Sequence, residues 1–434
     1  MDKMADVLGR AGAWCGQNKY LSAIKNAFQN FMPLTIAGAI GVLWCNVLVN
    51  DQTGLGLFFK PIMALDFLNP AFQAVNFCTI SCITVGITLG IAQEIGIWNM
   101  GAERAGYIPG LVGLAAWLSV TNTSHMVEGA KDAFTGIAGN ELGATGLFTG
   151  MIIGVLSVEL FCFFEKQDAL KIKMPEQVPP GVARAFEVLV PATITLIITA
   201  CIGSACYNLT GLYLNDVIKN GIQGPLGAVG ATIPGVMIIY LVIMLFWLVG
   251  IHGNNMLSAV KEALFTPLAL ENVEAFNKGE TPKNIINMYF LQMCGEFGGS
   301  GVTIGLVIAI MIFGKREDNK AIASLSLVPG LFNINETVTF GIPMVLNPIL
   351  GIPFVFACLV TILVGYVLTV IGFCPVACLT VPWTTPPLVF GFLATGANIM
   401  GAVTQAILIV VSTVIYTPFL IAYEKYQNKQ AAEA

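Results

Sequence analysis

Long apolar segments constrain this chain more than any other feature. They lie at residues 28–49, 70–97, 102–121, 144–164, 185–208, 226–250, 299–314, 342–372 and 401–423. About 20 apolar residues in a helix cross the ~30 Å hydrocarbon layer of a bilayer, and lipid allows only helices or closed barrels to cross it. Only 10% of the 434 residues are charged, against about 25% in a soluble domain. The sequence therefore predicts an all-α polytopic membrane protein, with the lipid bilayer as its main solvent.

The basic residues orient these segments, because Lys and Arg accumulate in cytoplasmic loops. With the N-terminus inside, the basic residues of the N-terminal stretch and of the loop at 166–184 fall on the cytoplasmic side. The basic residues at 315–320, Lys425 and Lys429 also fall on the cytoplasmic side, but only if the stretch 251–298 crosses the membrane once more. We therefore predict about ten transmembrane helices with both termini cytoplasmic.

Three stretches in the C-terminal half are apolar but interrupted by helix-breaking residues, such as Pro329-Gly330 and the prolines around Trp383. Irregular backbone at membrane depth is tolerated only inside protein or beside a watery cavity. We therefore predict re-entrant hairpins that converge on a polar cavity, near 253–270, 321–341 and 375–396. This interpretation divides the chain into a helical scaffold, residues 1–210, and a transport core, residues 211–434.

Ionisable residues within such segments are costly and usually functional, so each one is a candidate site residue. His252 lies in GIHGNN, Glu296 in CGEFGGSG and Glu336 in GLFNINETVTFGIP. A His or Glu at a helix end also reaches the interface or caps backbone groups, and Trp383 in VPWTTPP also fits an interfacial anchor. For His252 and Glu336 the functional interpretation is the stronger one, because glycines and amides flank them in broken segments.

The polar neighbours of these residues indicate the class of ligand. Asn333 and Asn335 precede Glu336, and Asn254 closely follows His252. Amides beside a carboxylate suit hydroxyl groups, and a tryptophan among prolines offers a flat face on which a sugar ring stacks. The combination favours a sugar over an ion or an amine.

The cysteines and histidines do not form a metal motif. None of the 11 cysteines lies in a CxxC pair, and His125 and His252 are the 2 histidines. Metal sites need clusters of such ligands at defined spacing, whereas cysteines in apolar helices behave as small apolar residues. The sequence therefore predicts no metal and no cofactor. It shows no basic patch either, so we expect no nucleic-acid partner.

Several motifs together resemble one known family. The stretch PGLFNINETVTFGIPMVLNPILGIPF (329–354) resembles the signature of enzyme IIC, the membrane subunit of sugar phosphotransferase systems of the lactose, cellobiose and diacetylchitobiose family. Further motifs fit at matching intervals: KNAFQNFMPLTIAGAI (25–40), VARAFEVLVP (182–191), GIHG (250–253), GGSGVTIGL (298–306) and VPWTTP (381–386). The resemblance covers nearly the whole chain.

The resemblance implies a multi-pass permease subunit of the bacterial cytoplasmic membrane that forms a homodimer through its N-terminal part. Each protomer would bind a disaccharide in its C-terminal half and expose it alternately to the outside and the inside. A phosphorylated IIB protein, carrying the phosphoryl group on a cysteine, would transfer it to the sugar at the cytoplasmic face. The sugar would leave as a 6-phosphate, and this chain would not itself be phosphorylated.

By the same resemblance, Glu336 and His252 would hold the reactive hydroxyl as the catalytic pair, and the residue types leave open which of the two is the base. The position after Glu336 is often proline in the family, but here it is Thr337, which keeps a backbone N–H. The substrate-binding candidates are Asn335, Asn333, Trp383, Glu296, Gly299, Ser300 and Asn254.

Cellobiose or a related β-glucoside is the expected substrate. Two other function classes stay open at this point. A proton-coupled secondary sugar transporter would use Glu336 as its proton carrier, although such transporters often show two matching halves and this sequence shows no convincing repeat. A receptor or channel is the weaker alternative.

Overall fold

The computed structural model describes residues 10, 13–14, 17–51, 55–125, 134–175 and 177–433. Within these ranges helices dominate, which confirms the predicted all-α class, and a short antiparallel pair joins Ser124–His125 to Phe134–Thr135. The α-helices are Lys19–Leu43, Asn69–Cys78, Ile83–Met100, Ala102–Ala105, Ile108–Val120, Gly139–Leu142, Ala144–Glu165, Pro180–Thr210, Leu214–Ile218, Gly224–Gly230, Ile233–Leu248, Gly253–Met256, Ser258–Asn277, Met288–Gly295, Ile304–Phe313, Glu317–Leu331, Glu336–Gly341, Gly351–Val370, Val389–Ala394 and Ile399–Glu433.

Tighter and wider helical turns connect several of these helices. The 3₁₀ turns are Leu55–Leu57, Lys60–Leu68, Ile80–Cys82, Asp168–Leu170 and Ser300–Val302. The π-helical turns are Trp44–Leu48 and Lys219–Gln223.

Six helical segments among the described residues are long and apolar enough to cross a membrane. A seventh span exists if Met288–Val302 and Ile304–Phe313, which meet at a bend of 59°, count together, and Ile108–Val120 and Ile233–Leu248 are shorter apolar helices. The total of about ten helices stays a prediction. The six segments are Lys19–Leu48, Lys60–Met100, Ala144–Glu165, Pro180–Thr210, Gly351–Val370 and Ile399–Glu433.

Two helices are shorter than the apolar segments that predict them, and proline explains where each one begins. Pro109 and Pro234 occupy the first turns of Ile108–Val120 and Ile233–Leu248. Proline lacks an N–H and has a fixed φ, so it suits the first turn, whose N–H groups have no partner within the helix. Thr232 caps the second helix by accepting a hydrogen bond from the Gly235 N–H at 3.2 Å.

The chain forms two compact units. The unit of residues 17–38 and 74–227, here called the scaffold unit, has a core of helices built around Ala116, Trp117, Val120 and Ile153. Small residues allow its helices to approach closely: a Cβ on Gly90 would lie 3.1 Å from the Ala27 Cβ.

The scaffold unit also holds a cluster of paired charges. Glu165 is only 3% exposed, and its Oε1 lies 2.8 Å from an Arg104 nitrogen and 2.9 Å from an Arg184 nitrogen. Both arginines also bind Glu187, at 2.8 Å each. Each of these carboxylates is therefore neutralised by guanidinium groups within the same unit.

The second unit, here called the site unit, comprises residues 39–73 and 228–434 with the described residues before 17. All three stretches predicted to be broken contain breaks in it: Leu257 separates Gly253–Met256 from Ser258–Asn277, residues 332–335 follow Glu317–Leu331, and 371–388 form no α-helix.

One predicted break is displaced from its expected position. Pro329 and Gly330 lie inside the helix Glu317–Leu331, not between two helices. The Pro329 carbonyl accepts hydrogen bonds from the N–H groups of Phe332 and Ile334, so the chain closes its helix end around this carbonyl. The helix therefore ends two residues after Pro329, at Leu331.

Candidate functional site

Glu336 begins the helix Glu336–Gly341, directly after the loop of residues 332–335. Its side chain is 48% exposed, and its Oε1 lies 3.9 Å from the His252 Nε2. This separation is too long for a direct hydrogen bond. A hydroxyl oxygen between the two groups would reach both of them.

His252 is held by its own backbone turn. It caps the helix Gly253–Met256, and its Nδ1 accepts a hydrogen bond from the Asn255 N–H at 3.2 Å. The Trp247 ring packs against the imidazole with ring centroids 4.4 Å apart. Because Nδ1 acts as an acceptor, the neutral imidazole carries its proton on Nε2, the nitrogen that faces Glu336.

Burial lowers the pKa of His252 below its ordinary value of 6.5, and the negative charge of Glu336 only partly opposes this shift. The neutral imidazole is therefore the dominant form at neutral pH. It presents an N–H donor, and Glu336 presents acceptor oxygens, to the space between them.

A glycine turn lies beside this pair. Gly298, Gly299 and Gly301 all have positive φ, at 68°, 88° and 75°. A Cβ on Gly299 would lie 2.6 Å from the Asn335 Cβ, so a side chain fits neither the backbone conformation nor the space. The turn brings backbone groups close to the loop that precedes Glu336.

Amide side chains connect the glycine turn to the neighbouring segments. The buried Asn335 donates from Nδ2 to the Ser300 carbonyl at 2.8 Å. Asn254 donates from Nδ2 to the Ser300 hydroxyl at 3.1 Å, and its buried Oδ1 has no hydrogen-bond partner among the described residues. Ser300 is therefore bound from both sides, by residues near His252 and near Glu336.

Asn333 connects the loop before Glu336 to the segment that carries Trp383. Its Nδ2 donates to the carbonyls of Trp383 at 2.5 Å and Thr385 at 3.0 Å. Its Oδ1 accepts from the Gly298 N–H at 2.6 Å. The Trp383 side chain remains 45% exposed, so its indole face is available for a ligand.

Glu296 has a different environment from Glu336. It accepts hydrogen bonds from the Lys261 ammonium and from the Tyr240 hydroxyl, the latter at 2.7 Å. The Lys261 side chain is only 7% exposed, and its ammonium also lies 5.6 Å from the Tyr240 ring centroid. Glu296 is thus the counter-ion of a buried lysine.

The structure therefore brings most of the sequence-predicted residues into one connected group. Hydrogen bonds link Asn254, Ser300 and Asn335, a second set links Asn333 to Gly298 and Trp383, and His252 faces Glu336. Glu296 is attached to Lys261 and Tyr240 instead.

The sequence alone does not indicate that Lys261 and Tyr240 bind Glu296. The sequence places Lys261 in an ambiguous stretch, and Tyr240 lies within an apolar segment that gives no sign of a polar contact. One signal was available in the sequence. A lysine in such an apolar region needs a partner of opposite charge, and the Glu296 carboxylate follows 35 residues later.

Comparison with known proteins gives one family. The family model described as "Phosphotransferase system, EIIC" matches residues 25–358. The chain is 34% identical, over 98% of its own length and 94% of the relative's, to the oligo-beta-mannoside-specific EIIC component of the phosphotransferase system of Bacillus subtilis (strain 168). It is 29% identical to the cellobiose-specific EIIC component of Lactococcus lactis subsp. lactis (strain IL1403), over 98% of both chains.

A solved structure has the same fold. It is the crystal structure of the transporter ChbC, the IIC component from the N,N'-diacetylchitobiose-specific phosphotransferase system. The two chains superpose with a TM-score of 0.88, at 29% identity, over 97% of each chain.

Proposed function

This chain belongs to the EIIC family of the phosphotransferase system, and we propose that it carries a β-linked disaccharide across the bacterial cytoplasmic membrane and presents one sugar hydroxyl to phosphorylated IIB between His252 and Glu336. The membership makes it a sugar permease component and implies a IIB partner. The 3.9 Å separation between the His252 Nε2 and the Glu336 Oε1 carries the proposal for the site, because one hydroxyl oxygen bridges two groups at that distance.

The hydrogen-bond polarity of the pair supports one division of the two roles. The His252 Nε2–H donates to the hydroxyl oxygen, and the hydroxyl proton points to the Glu336 carboxylate, since Nδ1 of His252 is already occupied as an acceptor. Glu336 is then the general base, and His252 orients the oxygen. Phosphoryl transfer needs mainly such positioning and control of charge.

The transfer step then balances without a cofactor. The hydroxyl oxygen forms a bond to phosphorus as the phosphorus–sulfur bond to the IIB cysteine breaks. The hydroxyl proton passes to Glu336, and the cysteine leaves as a thiolate. The products are the sugar 6-phosphate and unphosphorylated IIB, so no residue of this chain is phosphorylated.

Cellobiose or a related β-glucoside is the substrate that we propose. Relatives named for cellobiose and for lichenan support this class, as does the set of amides around Ser300. Relatives named for oligo-beta-mannoside and lactose define the competing sugars.

We further propose that both termini lie at the cytoplasmic face and that the protein is a homodimer through its N-terminal part, residues 1–210. The distribution of basic residues supports the orientation. The family resemblance supports the dimer and the docking of IIB at the cytoplasmic side.

Right-side-out membrane vesicles test the function. They would contain the protein with trapped phospho-IIB and receive labelled cellobiose, β-mannobiose, lactose or diacetylchitobiose outside. We expect one β-glucoside to accumulate inside as its 6-phosphate, only with phospho-IIB present. The exposed Glu280→Gln serves as a charge-matched control for Glu336→Gln, and it should leave the product unchanged.

Two outcomes would contradict the proposal. Free sugar that accumulates without IIB and disappears when the proton gradient is collapsed would identify a proton-coupled transporter with Glu336 as the carrier. A sugar phosphate that forms at an equal rate in Glu336→Gln would remove the assignment of the base.

A further inference from the structure

Protein groups occupy both donor hydrogens of the Asn333 amide and one acceptor position of its oxygen. Its two Nδ2 hydrogens point to the carbonyls of Trp383, at 2.5 Å, and Thr385, at 3.0 Å. Its Oδ1 takes the Gly298 N–H at 2.6 Å. An asparagine amide has two donor hydrogens and one acceptor oxygen, so both donors are committed and no N–H remains to bind a sugar hydroxyl.

The backbone at Asn333 is also specialised. Its φ is 63°, in the left-handed region, which asparagine adopts more readily than most residues other than glycine. Its N–H donates to the Gly330 carbonyl at 3.0 Å, which fixes the loop to the end of the helix Glu317–Leu331. This conformation turns the side chain toward two other segments that have no regular helix.

The three connected segments each contribute to the candidate site. The loop with Asn333 leads directly to Glu336, the glycine turn starts at Gly298, and the third segment carries the exposed face of Trp383. Backbone carbonyls and N–H groups are the partners, so the connection does not depend on the identity of the neighbouring side chains. One side chain therefore links the segment that carries the indole to the loop that leads to the carboxylate.

We propose that Asn333 is a positioning residue, which joins the Glu336 loop, the glycine turn and the Trp383 segment into one body, and that it donates no hydrogen bond to the sugar. The link between Asn333 and Trp383 is independent of the proposed function; only its effect on sugar phosphorylation rests on that function. In the sugar-free protein, the Trp383 ring should already be held in one place.

Fluorine NMR of 5-fluorotryptophan-labelled protein tests the link without any sugar. The chain has 6 tryptophans, and Trp383→Phe identifies the resonance of Trp383. We expect Asn333→Asp, which places an oxygen against two carbonyls, to shift or broaden that resonance. Asn333→Gly tolerates the positive φ but lacks the amide, so it should do the same even if the aspartate variant does not fold.

Asn347→Ala is the matched control. Asn347 also spends its amide on backbone groups, donating to the Pro343 carbonyl at 2.7 Å and accepting from the N–H groups of Ile349 and Leu350 at 2.9 Å each. It contacts neither the glycine turn nor the Trp383 segment through these bonds. Its loss should leave the Trp383 resonance in place.

The second readout is phosphorylation of the sugar by phospho-IIB. Asn333→Gly should raise KM and lower kcat together, each by about tenfold, because the sugar loses its fixed position relative to Glu336. An unchanged Trp383 resonance in both variants would overturn the proposal. If sugar affinity nevertheless fell in those variants, Asn333 would be a direct ligand.

Discussion

Two glutamates, Glu165 in the scaffold unit and Glu336 in the site unit, show how differently one chemical group is used. Glu165 is buried and bound by Arg104 and Arg184, whereas Glu336 is half exposed and faces a neutral imidazole 3.9 Å away. Glu165 has all the partners that a buried charge requires. Glu336 has room for one more partner, and that difference supports the structural role of Glu165 and the reactive role that we propose for Glu336.

The largest expected effect comes from a substitution of Glu336, the carboxylate that we propose to react. Glu336→Gln keeps the shape and a hydrogen-bonding oxygen but removes the base, so the rate of sugar phosphorylation should fall by about 10²–10⁴. Sugar affinity should change much less. Transfer from labelled phospho-IIB and equilibrium binding of the sugar, measured on the same preparation, separate the two quantities.

A substitution of Glu165, the structural carboxylate, should lower the stability of the protein and leave the rate of sugar phosphorylation unchanged. Glu165→Gln leaves two guanidinium groups without their shared buried carboxylate but still paired with Glu187, which should lower the free energy of unfolding by about 2 kcal/mol. The exposed Asp168, which pairs with Lys171 at 3.0 Å, provides the control Asp168→Asn, with no measurable loss expected. Thermal denaturation in detergent measures both. Normal stability of Glu165→Gln would show that the cluster does not need its central charge.

The charge state of His252 sharpens the comparison, because the proposed role of the Glu336 pair requires a neutral imidazole. Since the pKa of His252 is lowered, sugar binding should be complete at pH 7 and should decline as the pH falls below 6.5, when protonation breaks the bond from the Asn255 N–H. Glu336→Gln removes the charge that favours the imidazolium, so the pKa should fall further. Nitrogen NMR resolves this titration, with His125 as the other histidine of the chain. A pKa above 6.5 would contradict the assignment of Nε2 as a donor.

The smallest expected effect concerns Asn254. Its Nδ2 binds the Ser300 hydroxyl, and its buried Oδ1 has no donor within the part of the chain that the structure describes, so Asn254→Ala removes one hydrogen bond and one unsatisfied atom together. The net change in sugar affinity should be about 1 kcal/mol or less. Preference among cellobiose, mannobiose and lactose should shift more than overall affinity. If Asn254→Ala bound every sugar of the panel with the affinity of the unsubstituted protein, Asn254 would lie outside the sugar site.

Sequence alone predicts the membrane class and the broken segments, because both follow from the spacing of apolar residues, prolines and glycines. It also indicates His252 and Glu336 as candidate site residues, since ionisable groups stand out in such segments. It does not predict that Glu296 pairs with Lys261, because that contact joins residues from separate helices. The bonds of the Asn333 amide likewise depend on backbone groups that lie 35, 50 and 52 residues from it in the sequence.

The glycine turn beside the site limits how this protein diversifies during evolution. Gly298, Gly299 and Gly301 all have positive φ, and a Cβ on Gly301 would meet the Phe354 ring at 2.5 Å. A single-base change to alanine at any of these positions therefore carries a steric cost before it alters any contact with sugar. Substitutions among the side chains around the turn avoid this cost, so they are the less costly route to a new sugar preference.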